Sequence, residues 1–438
     1  MVPPPPSRPV RGGEDGASSN PSSEGLYQPY PTKASADGHN EPVSRALISI
    51  SDARAAILQA SVQMPSEPVP IGDAVDRVLA SDVIAAADVP PFGNSAMDGF
   101  AVGPDASRAL LRVVGESRAG TPAAVAIGPG EAIHISTGAP LPEGTAAVVP
   151  VEQTAAREDR VEITADVRPG QHLRGAGEDL QAGATVLRAG TRLTPGALAV
   201  AVGAGAGTVT VARRPRVAVL CTGDELREPG APLGPGEIHN SNAPMLQALA
   251  AAAGAEVVAV ERVADSLQAT ERAFAAALQQ ADVVIASGGV SVGPHDHVKP
   301  ALTALGVEER FWRVALQPGK PTWFGTRGEQ LVLGLPGNPV SSYVTFLLFA
   351  RPALLARQGH AQPLPPRGRA RLTEAPPRRE REQALRVRLD DADGTVAATP
   401  TGAQGSHITG SLAAADALLF VPAGATPQAG DSCEIERI

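Results

Sequence analysis

The chain has 438 residues and a formal net charge of −9, with 43% hydrophobic residues but only 3% aromatics. This length accommodates several domains, and the acidic balance leaves no electrostatic footprint for nucleic acid. The two cysteines, Cys221 and Cys433, make neither a disulfide framework nor a metal cluster. No apolar run suggests a signal peptide or a membrane span, so the expectation is a soluble cytoplasmic protein.

The first 44 residues are rich in Pro, Ser, Gly and acids and read as a disordered tail. Order is expected from "SRALISISDARAAILQA", a helix capped at Ser51 or Asp52. From Ile84 to Val167 short strand-like pieces such as "DGFAVG", "LLRVVG" and "RVEITADV" alternate with Gly and Pro, which predicts a small β-domain. An Ala-rich helix then opens at Thr194-Pro195.

At Arg216 the texture changes. "RVAVLCTGDEL" is a buried strand ending in a polar loop, and "APMLQALAAAAG" is a helix. "AEVVAVERVAD" is a strand, and "SLQATERAFAAALQQ" is a helix with Leu267, Phe274 and Leu278 on one face. "ADVVIASGGVSVG" is a second buried strand. This alternation predicts parallel βαβ units in a three-layer α/β domain running to about Gly359. Beyond "PLPPRGRARL" the short strands return, as a separate C-terminal β-domain.

In an open parallel sheet, ligands bind beyond the carboxyl ends of the strands. Here those ends read "CTGDEL", "VAD", "SGGVSVGPHDHVK" and "LPGNPVSS". Gly288 and Gly289 allow close backbone approach to a ligand. Pro339 fits the first position of a helix and Asn338 its cap, which puts Ser341 and Ser342 in an anion-attracting first turn. The plainer alternative is a well-capped core helix.

Asp296 suits an anchor for Mg²⁺ completed by phosphates and waters, or a solvated loop carboxylate. Asp224 and Glu225 suit a heterocycle, a metal, or a helix start. Asp265 suits a metal or the cap of the next helix. Arg313 and Lys320 flank a Pro-Gly turn as oxyanion candidates, or as surface charge. Arg378, Arg379, Arg381 and Arg386 form a basic run, read as mostly solvated. Cys221, at the end of a buried strand, reads as a small apolar residue rather than a nucleophile.

Nine stretches taken together are not generic: "PPFGNSAMDGFAV", "STGAPLPEGTAAVVPVE", "GEDL", "TGDEL", "GEIHNSN", "DVVIASGGVSVGPHDHVK", "QPGKPTWFG", "GLPGNPVSSYVTF" and "GAQGSHI". In this order they resemble the molybdopterin molybdotransferase family, the bacterial MoeA proteins and the C-terminal region of gephyrin.

The resemblance implies a multidomain α/β plus β protein. Its domains would be a linking domain (45–90 and 168–212), a small β-domain (91–167), an α/β molybdopterin-binding domain (213–360) and a C-terminal β-barrel-like domain (361–438). It implies a transferase that takes adenylylated molybdopterin and molybdate, releases AMP with the help of Mg²⁺ or another divalent cation, and leaves molybdenum on the pterin. It further implies a homodimer whose active sites are shared between chains, with the adenylyltransferase of the same pathway as a candidate partner.

Carried over position by position, the resemblance places Asp98, Thr137, Asp179 and Glu225 among the catalytic residues. It places Asp265 and Asp296 at the metal, and Lys320, Arg381 and Ser406 around molybdate. Ser341 or Ser342 lies near the pterin. The chain departs from the pattern at Gln317 and Arg313, where lysines are common, and at Ala384, where an aromatic is usual. A neutral Gln317 removes one cation from the oxyanion site. An adenylyltransferase and a non-enzymatic scaffold are the competing readings.

Overall fold

The computed structural model describes residues 47–290, 296–392 and 394–438. The expected N-terminal tail, together with Gly293 and His295, lies outside them.

Helix α1 spans Ile50–Ala60. Its cap is Ser49, whose Oγ accepts from the Asp52 amide at 3.0 Å and donates to Asp52 Oδ2 at 2.7 Å. The cap therefore precedes the expected Ser51 or Asp52. Ser49 has the extended backbone that turns a hydroxyl back onto the first turn, while Ser51 and Asp52 are already helical. Ile50, Ala53 and Ile57 recur at helical spacing and are buried.

After strand β1 (Ser66–Pro70) comes a six-stranded sheet. Its strands are β2 (Gly99–Val102), β3 (Leu110–Ser117), β4 (Glu131–Ile135), β5 (Ala147–Pro150), β6 (Thr154–Arg157) and β7 (Arg160–Ile163), in the order β5–β2–β4–β3–β7–β6. Gly99 is obligatory here, because a Cβ at that position would sit 2.0 Å from the Val149 carbonyl oxygen. Helix α2 (Pro195–Gly203), capped by Thr194, leads to β8 (Thr208–Ala212), which pairs antiparallel with β1. Leu79, Leu193, Val209 and Val211 share one core, so the stretches before and after the small sheet meet again.

The next sheet positions the site. Its parallel strands are β9 (Arg216–Thr222), β10 (Glu256–Val263), β11 (Val283–Ser287) and, later, β15 (Gln330–Leu335). Between them lie α3 (Asn242–Ala252), α4 (Leu267–Gln280), α5 (Val298–Ala304), β12 (Glu308–Trp312), β13 (Leu316–Gln317) and β14 (Trp323–Arg327). Strand β15 is Gln330–Leu335, and the six-stranded order is β10–β9–β11–β15–β14–β12. The β14 and β12 strands run antiparallel, so the sheet is mixed rather than wholly parallel.

Strand β9 shows why it is buried on both faces. Val217, Val219 and Cys221 belong to the core under α3, while Ala218 and Leu220 belong to the core under α4. On α4, Phe274 and Leu278 are buried as expected, but Leu267 is 42% exposed. It occupies the first helical position, one turn short of the buried Thr270 and Ala273.

The helix following β15, α6, runs Pro339–Arg357. It is long and apolar enough to cross a membrane, yet most of it is buried in this core, with Val340, Val344, Leu348 and Leu354 all inside.

The C-terminal strands are β16 (Arg367–Leu372), β17 (Glu382–Ala392), β18 (Thr395–Pro400), β19 (Ala417–Val421) and β20 (Ser432–Arg437). They run β17–β18–β16–β20–β19, and β19 pairs back onto β17, which closes a barrel and removes its edges. Strand β13 of the α/β region adds in parallel to β17, with Gln317 opposite Gln383. Ala384, Leu418 and Phe420 of the barrel enter the α/β core. Behind them Arg54 forms a buried two-pronged ion pair with Glu436, at 2.6 Å on each prong, and donates to the Leu348 carbonyl.

Candidate active site

The carboxyl ends of β9, β10, β11 and β15 enclose a cleft of about 490 Å³. Glu225, Asp265, Asp296, Gly288 and Gly289 all line it. Gly288 has φ +94°, and a Cβ there would lie 2.7 Å from Thr222 Oγ1. The glycine thus lets two strand ends touch.

Asp224 and Asp265 clasp one another. The Asp224 amide donates to Asp265 Oδ2, and the Asp265 amide donates to Asp224 Oδ1, both at 3.1 Å. The cap of α4 is Ser266, which accepts from Ala269, so Asp265 is free of that duty. No helix follows Asp224 and Glu225 either; the chain turns into a short strand at Leu226–Arg227.

Among the described residues the cleft's lining holds three carboxylates, Glu225, Asp265 and Asp296, and one imidazole, His239, with no Lys or Arg. Among the described residues no group of three or more His, Cys, Asp and Glu is placed to hold a metal by itself. Oxygen donors without a complete cage fit a hard cation such as Mg²⁺, which fills its shell with phosphate oxygens and water. Cys221 also lines this cleft, but burial pushes its thiol up to about 11 against a weaker opposing hydrogen bond from Asn240. It stays a neutral thiol at physiological pH.

A second cleft, of about 560 Å³, opens between the α/β region and the barrel. The α/β side contributes Gln317, Lys320, Asn338 and Ser341, and the barrel side contributes Arg379, Arg381, Arg386, Gln404 and Ser406. Pro321, Pro336 and Asn338 line both clefts, so the two form one trench, acidic at one end and basic at the other. Asn338 stands at the cap position of α6, as its sequence context suggests, but its side chain makes no cap. Its Nδ2 instead donates across the domain boundary to Ser406 Oγ at 3.0 Å.

Arg386 is the residue that sequence reasoning missed. It was expected to be solvated, as part of a basic run, yet it is fully buried. Its guanidinium donates to Ser411 Oγ and to the carbonyls of Ala403, Gln404 and Gly405, and among the described residues no carboxylate pairs with it. Burial lowers its pKa to about 10, so it remains charged at neutral pH. A buried cation balanced only by carbonyl dipoles favours an anion in the adjoining cleft.

Arg381 is anchored by a 2.6 Å hydrogen bond to the Leu316 carbonyl, and burial lowers its pKa against the opposing pull of Glu380.

The remaining expected residues are dispersed. Ser342 lies inside the wall, fully buried, with Oγ 3.2 Å from Ser287 Oγ, and lines neither cleft. Arg313 stacks its guanidinium 4.0 Å over the Trp312 ring and also stays outside both linings. Asp98 and Thr137 come together, the Thr137 amide donating to Asp98 Oδ1 at 2.9 Å. The Asp179 amide donates to the Val89 carbonyl at 2.9 Å. All three are exposed, and none lines either cleft of its own chain.

Known proteins share this architecture. Residues 48–205 match the MoeA N-terminal region (domain I and II), 218–356 a probable molybdopterin-binding domain, and 369–438 the MoeA C-terminal region (domain IV). A molybdopterin molybdenumtransferase 2 of Mycobacterium tuberculosis is 40% identical, over 81% of this chain and 90% of that protein. The chain belongs to the molybdopterin molybdenumtransferase family.

A Bacillus subtilis molybdopterin molybdenumtransferase is 34% identical, over 87% of this chain and 91% of its own length. Among solved structures, a molybdopterin biosynthesis MoeA protein from Pyrococcus horikoshii superposes with a TM-score of 0.76 at 30% identity. That match covers 90% of this chain and 99% of the other. In this family member the trench lies between the second and third matched regions, where Lys320 and Asn338 face Arg386 and Ser406.

Proposed function

We propose that this chain is a molybdopterin molybdotransferase, which inserts molybdenum from molybdate into adenylylated molybdopterin and releases AMP. One observation carries the reading: an acidic strand-end cleft and a basic interdomain cleft are continuous across Asn338. Such a trench suits two anionic reactants that must meet.

Molybdate is a tetrahedral dianion. Lys320, Arg381 and Arg386 supply charge, while Ser341, Ser406 and Gln317 supply directed neutral donors. The adenylylated pterin takes the other end, where the backbone at Gly288 and Gly289 approaches it closely. Asp265 and Asp296 would hold a divalent cation there, with Glu225 beside them. When bound, that cation neutralises phosphoanhydride charge. The chain's own part is to bring the oxyanion and the phosphoanhydride together and keep them aligned. No side-chain nucleophile is required, because a molybdate or water oxygen attacks, and Cys221 is a neutral thiol.

Asp98, Thr137 and Asp179 act from the partner chain of a homodimer in this reading, since they lie away from their own trench. Mixing Asp98→Ala and Lys320→Ala chains then restores activity in heterodimers; failure with heterodimers present removes the shared site. The cytoplasm is the expected compartment, and the adenylyltransferase that makes the substrate is the expected partner.

The test is incubation of purified protein with adenylyl-molybdopterin, molybdate and Mg²⁺, with AMP followed over time. Molybdate-dependent AMP release supports the reading, and none under any of these conditions refutes it.

A further inference from the structure

Among the described residues one buried side-chain polar atom lacks a hydrogen-bond partner, and it is Asn242 Oδ1. Asn242 sits at the first position of α3, is 8% exposed, and belongs to the wall of the acidic cleft. Its orientation is fixed by its neighbours. Nδ2 donates to the Gly337 carbonyl at 2.7 Å, and a carbonyl only accepts. The same Nδ2 donates to Ser287 Oγ at 2.8 Å. Swapping the amide would set two oxygens against each other, so Oδ1 must be the atom left over.

A buried acceptor without a donor is costly and rare in folded proteins. Here the residue lines a ligand cleft, although Oδ1 itself is closed off from solvent. The two donated bonds also make Asn242 rigid, because they tie α3 to the ends of β11 and β15. The amide therefore offers a ligand one acceptor and no spare donor.

We propose that Asn242 Oδ1 accepts a hydrogen bond from the donor edge of the substrate's pyrimidine ring, its N3–H or 2-amino group, and so selects a 2-amino-4-oxo pterin. The inference rests on the molybdopterin reading above and names a specificity-determining residue within it. A site built around one acceptor rejects ring systems whose matching position is an oxygen or a methyl group, since both then leave Oδ1 unpaired.

The experiment measures binding of three probes to the full chain by fluorescence: 6-hydroxymethylpterin, its 3-methyl derivative, and 6-hydroxymethyllumazine, in which oxygen replaces the 2-amino group. The wild-type protein should bind at least one of the two altered rings about ten-fold more weakly than the pterin. Asn242→Leu and Asn242→Ser both remove Oδ1 and should bring that ratio near one. The ratio is internal to each variant, so a general loss of stability does not mimic the effect. Equal binding of all three probes by the wild type overturns the inference alone. So does an unchanged ratio in whichever variant folds. Failure of the wild type to bind any of the three counts against the molybdopterin reading as well.

Discussion

Asn338 Nδ2 donates to Ser406 Oγ at 3.0 Å, joining the start of the long core helix to a loop of the C-terminal barrel. The residue holds a cap position without capping, because its side chain is committed to the other domain. Asn338→Ala therefore removes no helix cap and should cost the fold only about 1 kcal/mol, the worth of one neutral hydrogen bond. It should raise the molybdate concentration for half-maximal AMP release several-fold, because Ser406 loses the group that orients it. Thermal unfolding and a molybdate titration on the same sample separate the two effects. A large drop in stability with unchanged molybdate dependence would make the contact purely structural.

Arg386 should behave in the opposite way to an ordinary buried ion pair. Among the described residues it has no carboxylate to orphan, so Arg386→Met leaves no uncompensated charge behind, but it strips the Ser411 hydroxyl and the Ala403, Gln404 and Gly405 carbonyls of their donor and should lower the denaturant midpoint measurably. Its guanidinium is buried and donates to protein oxygens, so it acts on the oxyanion through its charge rather than through direct bonds, and losing that charge should weaken molybdate binding several-fold. Equilibrium dialysis against molybdate checks this; unchanged affinity in the Met variant would take Arg386 out of the site.

Asp265 has two separable duties. Asp265→Asn keeps an oxygen to accept from the Asp224 amide, so the clasp and the stability should survive while the charge is lost. Asp265→Ala loses both. The Asn variant should need several times more Mg²⁺ for half-maximal AMP release at a melting temperature within a few degrees of wild type. An Asn variant as active as wild type at limiting Mg²⁺ would assign Asp265 to the clasp alone. Asp296→Asn should show the same metal dependence.

Gln317 lines the basic cleft as a neutral donor. Replacing it by lysine adds about 1 kcal/mol of charge assistance, roughly a five-fold gain in molybdate affinity, which high salt should partly erase. An unchanged molybdate dependence would mean that Gln317 does not reach the anion.

The sequence made some of this legible and hid the rest for physical reasons. Strand ends, turn glycines and the Asn338-Pro339 helix start are local signals, and Glu225, Asp265, Asp296 and Lys320, which stand beside them in the chain, line the trench. Burial is not local. Arg386 looks like one of four neighbouring arginines until Ala403, Gln404, Gly405 and Ser411 fold over it. Ser341 and Ser342 are adjacent in the chain, yet the helix turns one to the cleft and the other onto Ser287. Asn242 closes the stretch "GEIHNSN" without any local sign of its environment, and only the carbonyl of Gly337, 95 positions away, fixes which face of its amide is left unpaired.

The most direct measurement quantifies AMP and pterin-bound molybdenum in the same reaction of wild-type protein with adenylyl-molybdopterin, molybdate and Mg²⁺. The two should rise together in a one-to-one ratio, and neither should form without molybdate. AMP released without molybdenum on the pterin, or no AMP at all, would contradict the molybdotransferase reading.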